Sequence, residues 1–286
     1  MFVLIGVGLV LAATVAGFVM SKGNIAVLIQ VNEFIIIAGA GIGSFVAANG
    51  LANAKAAIKT VTSLLKPTPY TKQAYLDLLK MMYQLFNVAR KEGLLGLEGH
   101  IEEPAKSEII GKYPAFLQNH HASAFFCDTM KVILTGAVGP HDLSEMMELD
   151  LDIAHQEERV PVDAVATVGD AMPGFGIVAA VLGVIITMGH MKEGPEVIGE
   201  AVAAALVGTF VGVLLGYGVF GPIARAMELR MQGGSQYLNS IRYALFSFAR
   251  GESPITCVEF ARRNIEPSIR PGFTEMEKSV KEKAAA

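Results

Sequence analysis

Residues 171–189 read AMPGFGIVAAVLGVIITMG. The stretch contains no Asp, Glu, Lys or Arg, and its length suits a helix crossing the hydrocarbon core, which takes about 20 apolar residues. Residues 1–20, 34–52 and 201–224 share both properties, so the sequence predicts four membrane spans. The rest of the composition agrees. The chain of 286 residues is 52% hydrophobic and 17% charged, with a mean hydropathy of +0.45. Soluble domains are closer to one quarter charged, so disorder and a collagenous fibre are both excluded. A net charge of −4 leaves no dominant basic surface, which argues against a nucleic-acid binder. Tryptophan is absent, so any aromatic belt falls to Phe and Tyr. The first run reads as an uncleaved span rather than a signal peptide, because no Lys or Arg precedes Lys22.

Of the 23 Lys and Arg residues, all but Lys22 and Lys192 lie in residues 53–170 and 225–286. The positive-inside rule makes those two blocks cytoplasmic and the short connections 21–33 and 190–200 external. The expected organisation is an all-α integral membrane protein with both termini cytoplasmic. Residues 1–52 form spans one and two, 53–170 a helical cytoplasmic domain, 171–224 spans three and four, and 225–286 a cytoplasmic tail. Cys127 and Cys257 then lie in a reducing compartment and read as free thiols.

Within the polar block, Thr71 can cap a helix whose Tyr75, Leu76, Leu78, Leu79, Met82, Leu85, Phe86 and Ala89 recur at helical spacing. Further helices are expected near 97–103, at 122–135 before Gly136, and from Asp142 to Glu158 with Pro161 as a kink. In the tail one is expected near 237–250, and residues 275–283 read as frayed or disordered. The acidic residues 145–158 read as a solvated helix face. The pair His120 and His121 has no partner at metal-ligand spacing, so no metal or cofactor is expected.

Gly208, Gly212 and Gly216 recur every fourth residue, Gly39 and Gly43 do the same, and Gly176 and Gly183 lie a heptad apart. Such faces let helix backbones meet in lipid, within one subunit or between subunits. They offer more small-residue surface than one four-helix cluster needs, which points to an oligomer with a partner inside. The spans as drawn hold no ionisable group, only hydroxyls such as Thr14, Ser44, Thr187, Thr209 and Tyr217. An ion path would therefore need a carboxylate from a partner helix. Asp170 is expected to cap the third span, with Pro173 in its first turn, and Pro222 is expected to close the fourth. The two prolines read either as helix punctuation or as a pair of hinges.

These residues resemble the MotA stator family of flagellar motors over nearly the whole chain. The likeness is carried by 36–45 (IIAGAGIGSF), by Ser107-Glu108-Ile109-Ile110 with Tyr113-Pro114, and by 168–181 (VGDAMPGFGIVAAV). Val207-Gly208-Thr209-Phe210, Tyr217-Gly218 and Pro222 extend it. The resemblance implies a pentameric ring around the helices of a MotB-type dimer, whose membrane aspartate carries the ion. It implies torque on the rotor protein FliG through the large loop, in the bacterial inner membrane, with no enzymatic reaction. On the same ground, Arg90 and Glu98 are the rotor contacts. Pro173 and Pro222 are tied to ion flow and torque, and Thr209 and Tyr217 are pore-side positions. Sodium-driven relatives place a threonine at Ala180; alanine offers no ligand oxygen, so protons are the expected ion and sodium the alternative. Gly99-His100 departs from the family's basic residue after Glu98. An ExbB- or TolQ-like energiser of outer-membrane processes is the main rival. A permease would need polar spans or inverted repeats, and a membrane scaffold would pass no ions with its partner present.

Overall fold

The protein is described from a computed structural model, which covers residues 2–189, 192 and 194–281. Its regular structure is helical, with no strand among the described residues. Helix α1 spans Phe2–Met20 and a 3₁₀ turn spans Ile25–Leu28, capped by Asn24 Oδ1, which accepts the Ala26 N–H at 3.0 Å. Next come α2 (Val31–Ser63), α3 (Lys72–Glu92), α4 (Glu98–Glu102), α5 (Pro114–Gln118) and α6 (His120–Thr135). Helices α7 (Pro140–Gly189) and α8 (Pro195–Leu215) follow, then a π turn at Gly216–Phe220. Helices α9 (Gly221–Ala249), α10 (Pro254–Asn264) and α11 (Phe273–Lys281) complete the chain. Four helical stretches are long and apolar enough to cross a membrane: Phe2–Met20, Ile25–Ser63, Pro140–Gly189 and Pro195–Ala249.

Contacts divide the chain into two compact units. One is the segment through Pro67 with Glu158–Leu229, and the other is Thr68–Glu157 with the segment from Arg230. Helices α7 and α9 each contribute to both.

The second unit has a conventional core. In α3 the predicted face is buried at Tyr75, Leu78, Leu79, Met82, Leu85, Phe86 and Ala89. Met81 is buried too, so α3 is covered on more than one side. Phe86 stacks on Phe248 of α9 at 4.4 Å, and Tyr75 meets Tyr237 at 5.4 Å. Such pairs add about 0.5–1.5 kcal/mol each beyond the area they bury. Thr71 Oγ1 accepts the Ala74 N–H at 3.3 Å as expected, and Gly136, in a left-handed conformation, ends α6. Glu145, Asp150, Asp152, Glu157 and Glu158 line an exposed face of α7, and Glu148 there accepts from Arg242 of α9 at 2.6 Å.

The tail is more ordered than its composition suggested. In α10, Arg262 grips Glu259 through two hydrogen bonds and also donates to the Pro271 carbonyl at 3.0 Å. That bond fixes the approach to α11, which buries Met276 and Val280. The expected fraying of 275–283 is thus corrected as far as Lys281, and the rest of that stretch lies outside the described residues.

In the first unit, α2 bends at Gly50, whose φ of 67° and ψ of 171° are open essentially to glycine alone. The single run read at 34–52 therefore ends in an elbow. Ile37–Phe45 and Ala57–Thr62, on either side of it, line one apolar cavity of about 470 Å³ with Val168 and Phe220. Helix α1 has no buried residue; it touches the chain at a few points, Val10 against Gly218 among them, and most of its apolar surface stays exposed.

Both cysteines are buried free thiols, and burial pushes each up to about 11. A thiol raised in this way leaves the fold at full stability at neutral pH, and stability falls as the pH rises from the ordinary thiol range toward the raised value. At neutral pH a maleimide should therefore modify the folded chain about a hundredfold more slowly than the chain in denaturant. Mass spectrometry of timed aliquots measures this.

Candidate functional site

Helices α7 and α8 touch backbone to backbone. A Cβ on Gly176 would lie 2.6 Å from the Gly208 carbonyl oxygen and 3.0 Å from Gly212 Cα. One on Gly212 would lie 2.6 Å from the Met172 carbonyl oxygen, and one on Gly183 would lie 2.7 Å from Ala205 Cβ. In lipid there is little hydrophobic drive to join apolar helices, so dispersion and close backbone approach must do it. Gly208, Gly212 and Gly216 are thus used inside the chain. Gly39 and Gly43 are not: both face open space, and Gly41 between them meets Met172 instead.

Lower on this seam, Pro173 sits inside α7 rather than in a first turn, and Asp170 caps nothing because the helix runs through from Pro140. Pro161, expected as a kink, also lies inside this helix, which continues past Glu158. A helical proline has no N–H, so the carbonyl four residues earlier, that of Gly169, loses its normal donor. That oxygen lies 2.7 Å from where a Gly216 Cβ would be, and Pro173 Cδ lies 3.0 Å from the same point. Gly216 is tolerated there because it has no side chain, and it opens the π turn. The Gly221 N–H reaches back five residues to the Gly216 carbonyl. Pro222 is the second residue of α9 and does not close the span, since α9 continues to Ala249. Tyr217, inside the π turn, is 68% exposed. The structure therefore brings Pro173 against Gly216, with Tyr217 and Pro222 on the turn that Gly216 begins. Isolated π turns inside helices are frequent at functional positions.

Further along the seam the expectation of spans without an ionisable group fails. Glu33, assigned by hydropathy to a loop, lies in the first turn of α2 and is only 7% exposed. Its Oε2 is 2.8 Å from the position of a Gly208 Cβ, and its Oε1 is 3.4 Å from that of a Gly183 Cβ. The Ala180 backbone nitrogen lies 3.1 Å from the same Gly208 position, and half-buried Thr209 is the next residue. The available signal was an acid directly ahead of Phe34-Ile35-Ile36-Ile37.

Arg90 and Glu98 belong to the other unit. Arg90 lies in the last turn of α3 and Glu98 in the first turn of α4, both exposed, and each suits the helix dipole at its position. Gly93, at φ 80°, turns the chain between them, and Leu97 anchors the connection in the core. Leu95, at the same tip, is 81% exposed, an apolar feature that the charge pattern did not flag. His100, where the family's basic residue was expected, bonds Ser107 Oγ at 2.8 Å through Nδ1. That hydroxyl also accepts the Ile110 N–H at 3.0 Å. His100 therefore holds the following loop. Among the described residues no cluster of His, Cys, Asp or Glu could hold a metal.

Together these features define a multi-pass, all-helical membrane protein with a glycine-packed helix pair and a separate helical unit. Residues 4–93 match the family described as Motility protein A N-terminal, and residues 117–239 match the MotA/TolQ/ExbB proton channel family. The chain is 36% identical over 281 residues to Motility protein A of Escherichia coli (strain K12), covering 98% of this chain and 95% of the other. It is 31% identical to chemotaxis protein LafT of Vibrio parahaemolyticus, covering 96% of each. The fold matches the C. jejuni MotAB structure with a TM-score of 0.75 at 18% identity, over 93% of this chain and 95% of that one. It matches the flagellar MotAB stator complex from Bacillus subtilis at 0.71 and 23% identity, over 90% and 92%. The chain belongs to the motility protein A family.

The seam sets a sharp contrast between glycines. Gly212→Ala forces backbone apart and should cost about 1–3 kcal/mol. Gly39→Ala enters open space and should stay within about 0.5 kcal/mol. Thermal unfolding of the isolated chain in detergent measures both.

Proposed function

We propose that this chain is a stator subunit of a bacterial flagellar motor. With a MotB-type partner it forms an inner-membrane proton channel that converts ion-motive force into torque. The observation that carries the reading is kinship to motility protein A over the whole chain, with the channel-family match spanning α6 to α9. The match of residues 4–93 to the motility-specific N-terminal family weighs against an ExbB- or TolQ-like energiser.

The work is mechanical, not chemical. Each unit charge crossing the membrane releases about 2.3 kcal/mol per 100 mV. In this reading the partner's aspartate gains and loses a proton at the inner wall of a pentameric ring, and each change alters the wall position it prefers. Pro173 and the π turn form a soft point on the helix pair, and α7 and α9 carry the strain toward the rotor-facing tip. There Arg90, Leu95 and Glu98 present two charges and an apolar knob to FliG. Ala180 contributes no side-chain oxygen, which favours protons over sodium. The charge bias places 53–170, 225–286 and both termini in the cytoplasm.

A stator-deleted bacterium with a compatible rotor, supplied with this chain and its own partner, should swim with or without sodium. Swimming only with sodium would reverse the ion assignment, and no swimming with an inserted, partner-bound complex would favour the energiser. In the same strain Arg90→Glu should lower torque while membrane insertion, read by immunoblot of the membrane fraction, stays normal. Undiminished swimming in an R90E/E98K double variant with an unaltered rotor would remove the electrostatic contact.

A further inference from the structure

We propose that Glu33 is a second proton-binding site on the ion route, separate from the partner's membrane carboxylate; the proposal rests on the stator reading above. Among the described residues Glu33 is the only Asp, Glu, Lys or Arg that is buried. Its Oε2 is enclosed and makes no hydrogen bond. A Glu at the third position of a helix commonly reaches back to the cap N–H. Glu33 makes no such bond and turns into the α7–α8 seam instead.

The seat is shaped for it. Gly208 and Gly183 leave the room that the carboxyl occupies, because a side chain on Gly208 would meet Oε2 at 2.8 Å. The elements packed around it bring Ala179 and Gly183 from α7 and Ala205 and Gly208 from α8, with Thr187 four residues beyond Gly183. None of these can pair with an ion, and the Thr187 hydroxyl is already donated to the Gly183 carbonyl at 2.8 Å. Among the described residues, the charged ones flanking these helices, Lys22, Lys192, Glu196 and Glu200, are exposed.

Buried ionic groups that serve structure are paired, because an unpaired ion at such a place costs several kcal/mol. What completes this seat is therefore a proton. The carboxylate takes one from water at the outer mouth, seats as a neutral carboxyl on Gly208 beside Ala180, and returns the proton to a neighbouring base or water when it swings out. Only the O–H bond forms and breaks. Glu33 thus shares one glycine with the position that resemblance ties to ion choice.

The test uses the complete complex with its partner in native membrane vesicles. Dicyclohexylcarbodiimide, an apolar reagent for protonated carboxyls, should form an adduct on the Glu33 peptide at mildly acid pH and progressively less as the pH rises. Absence of that adduct at every pH, in a complex that still co-purifies with its partner, overturns the proposal. Glu33→Gln keeps the shape and removes the exchangeable carboxyl proton. It should assemble normally yet slow rotation about tenfold or more and flatten its dependence on external pH, with Glu33→Asp in between. Wild-type rotation in E33Q overturns the proposal as well, and if E33Q fails to assemble, the labelling of the wild-type complex decides. Should the wild-type complex drive no motor, the stator reading fails, while the adduct on Glu33 is still read independently.

Discussion

The fold of the membrane-type unit depends on the direct backbone contact between α7 and α8. In water, two apolar helices would be pushed together by burial, but in lipid that drive vanishes, so what remains is how closely the backbones can approach. Glycines at 169, 176 and 183 of α7, at 208 and 212 of α8 and at 216 of the π turn leave only small side chains such as Ala179 and Ala205 between the backbones. The rest of the site follows from that closeness. Glu33 has a seat because Gly208 and Gly183 leave one. Gly216 can lie over Pro173 because nothing projects from it.

Backbone accounting explains why the soft point falls where it does. Lipid supplies no partner for a stray carbonyl, so irregular backbone survives in a span only where protein covers it. Pro173 takes the donor from the Gly169 carbonyl, and Gly216, opening the π turn, covers that carbonyl. The π turn that starts at Gly216 then rotates the chain leading into Pro222. A break on α7 and a break on α8 thus support each other. Neither would be tolerated facing acyl chains, and together they form the level at which the proposed coupling would bend the helix pair.

Much of this was legible in residue type and spacing. The four apolar runs, the buried face of α3, the Thr71 cap and the Gly136 stop each rest on a local rule, and each appears in the structure. The failures share a cause, which is that tertiary contact overrode the local rule. Pro173 read as a first-turn residue capped by Asp170, yet α7 runs through it from Pro140, because fifty residues of favourable helix absorb the hydrogen bond it loses. Gly50 lies inside the run at 34–52 with no local signal of a bend, and only its positive φ marks the elbow. Glu33 was the costliest miss. Hydropathy ends a span at the first charge, and nothing local says that two glycines far along the chain will cover that charge.

That miss alters the argument about ions. A chain without a buried carboxylate can only be the wall of a machine whose partner does the carrying. In the proposed stator, one enclosed carboxyl per subunit would offer a proton-binding position at each wall site that the partner's acid visits. The energy per proton is small, about 2.3 kcal/mol for each 100 mV. It cannot deform a rigid glycine-packed seam by bending bonds, but at membrane potentials above about 100 mV it approaches the lower end of the several kcal/mol that an ionised, unpaired buried acid costs. The step that such a quantity can drive is therefore the seating or release of a carboxyl. The place in this chain where a seat, a freed carbonyl and a π turn lie along one helix pair is the seam from Glu33 to Pro173.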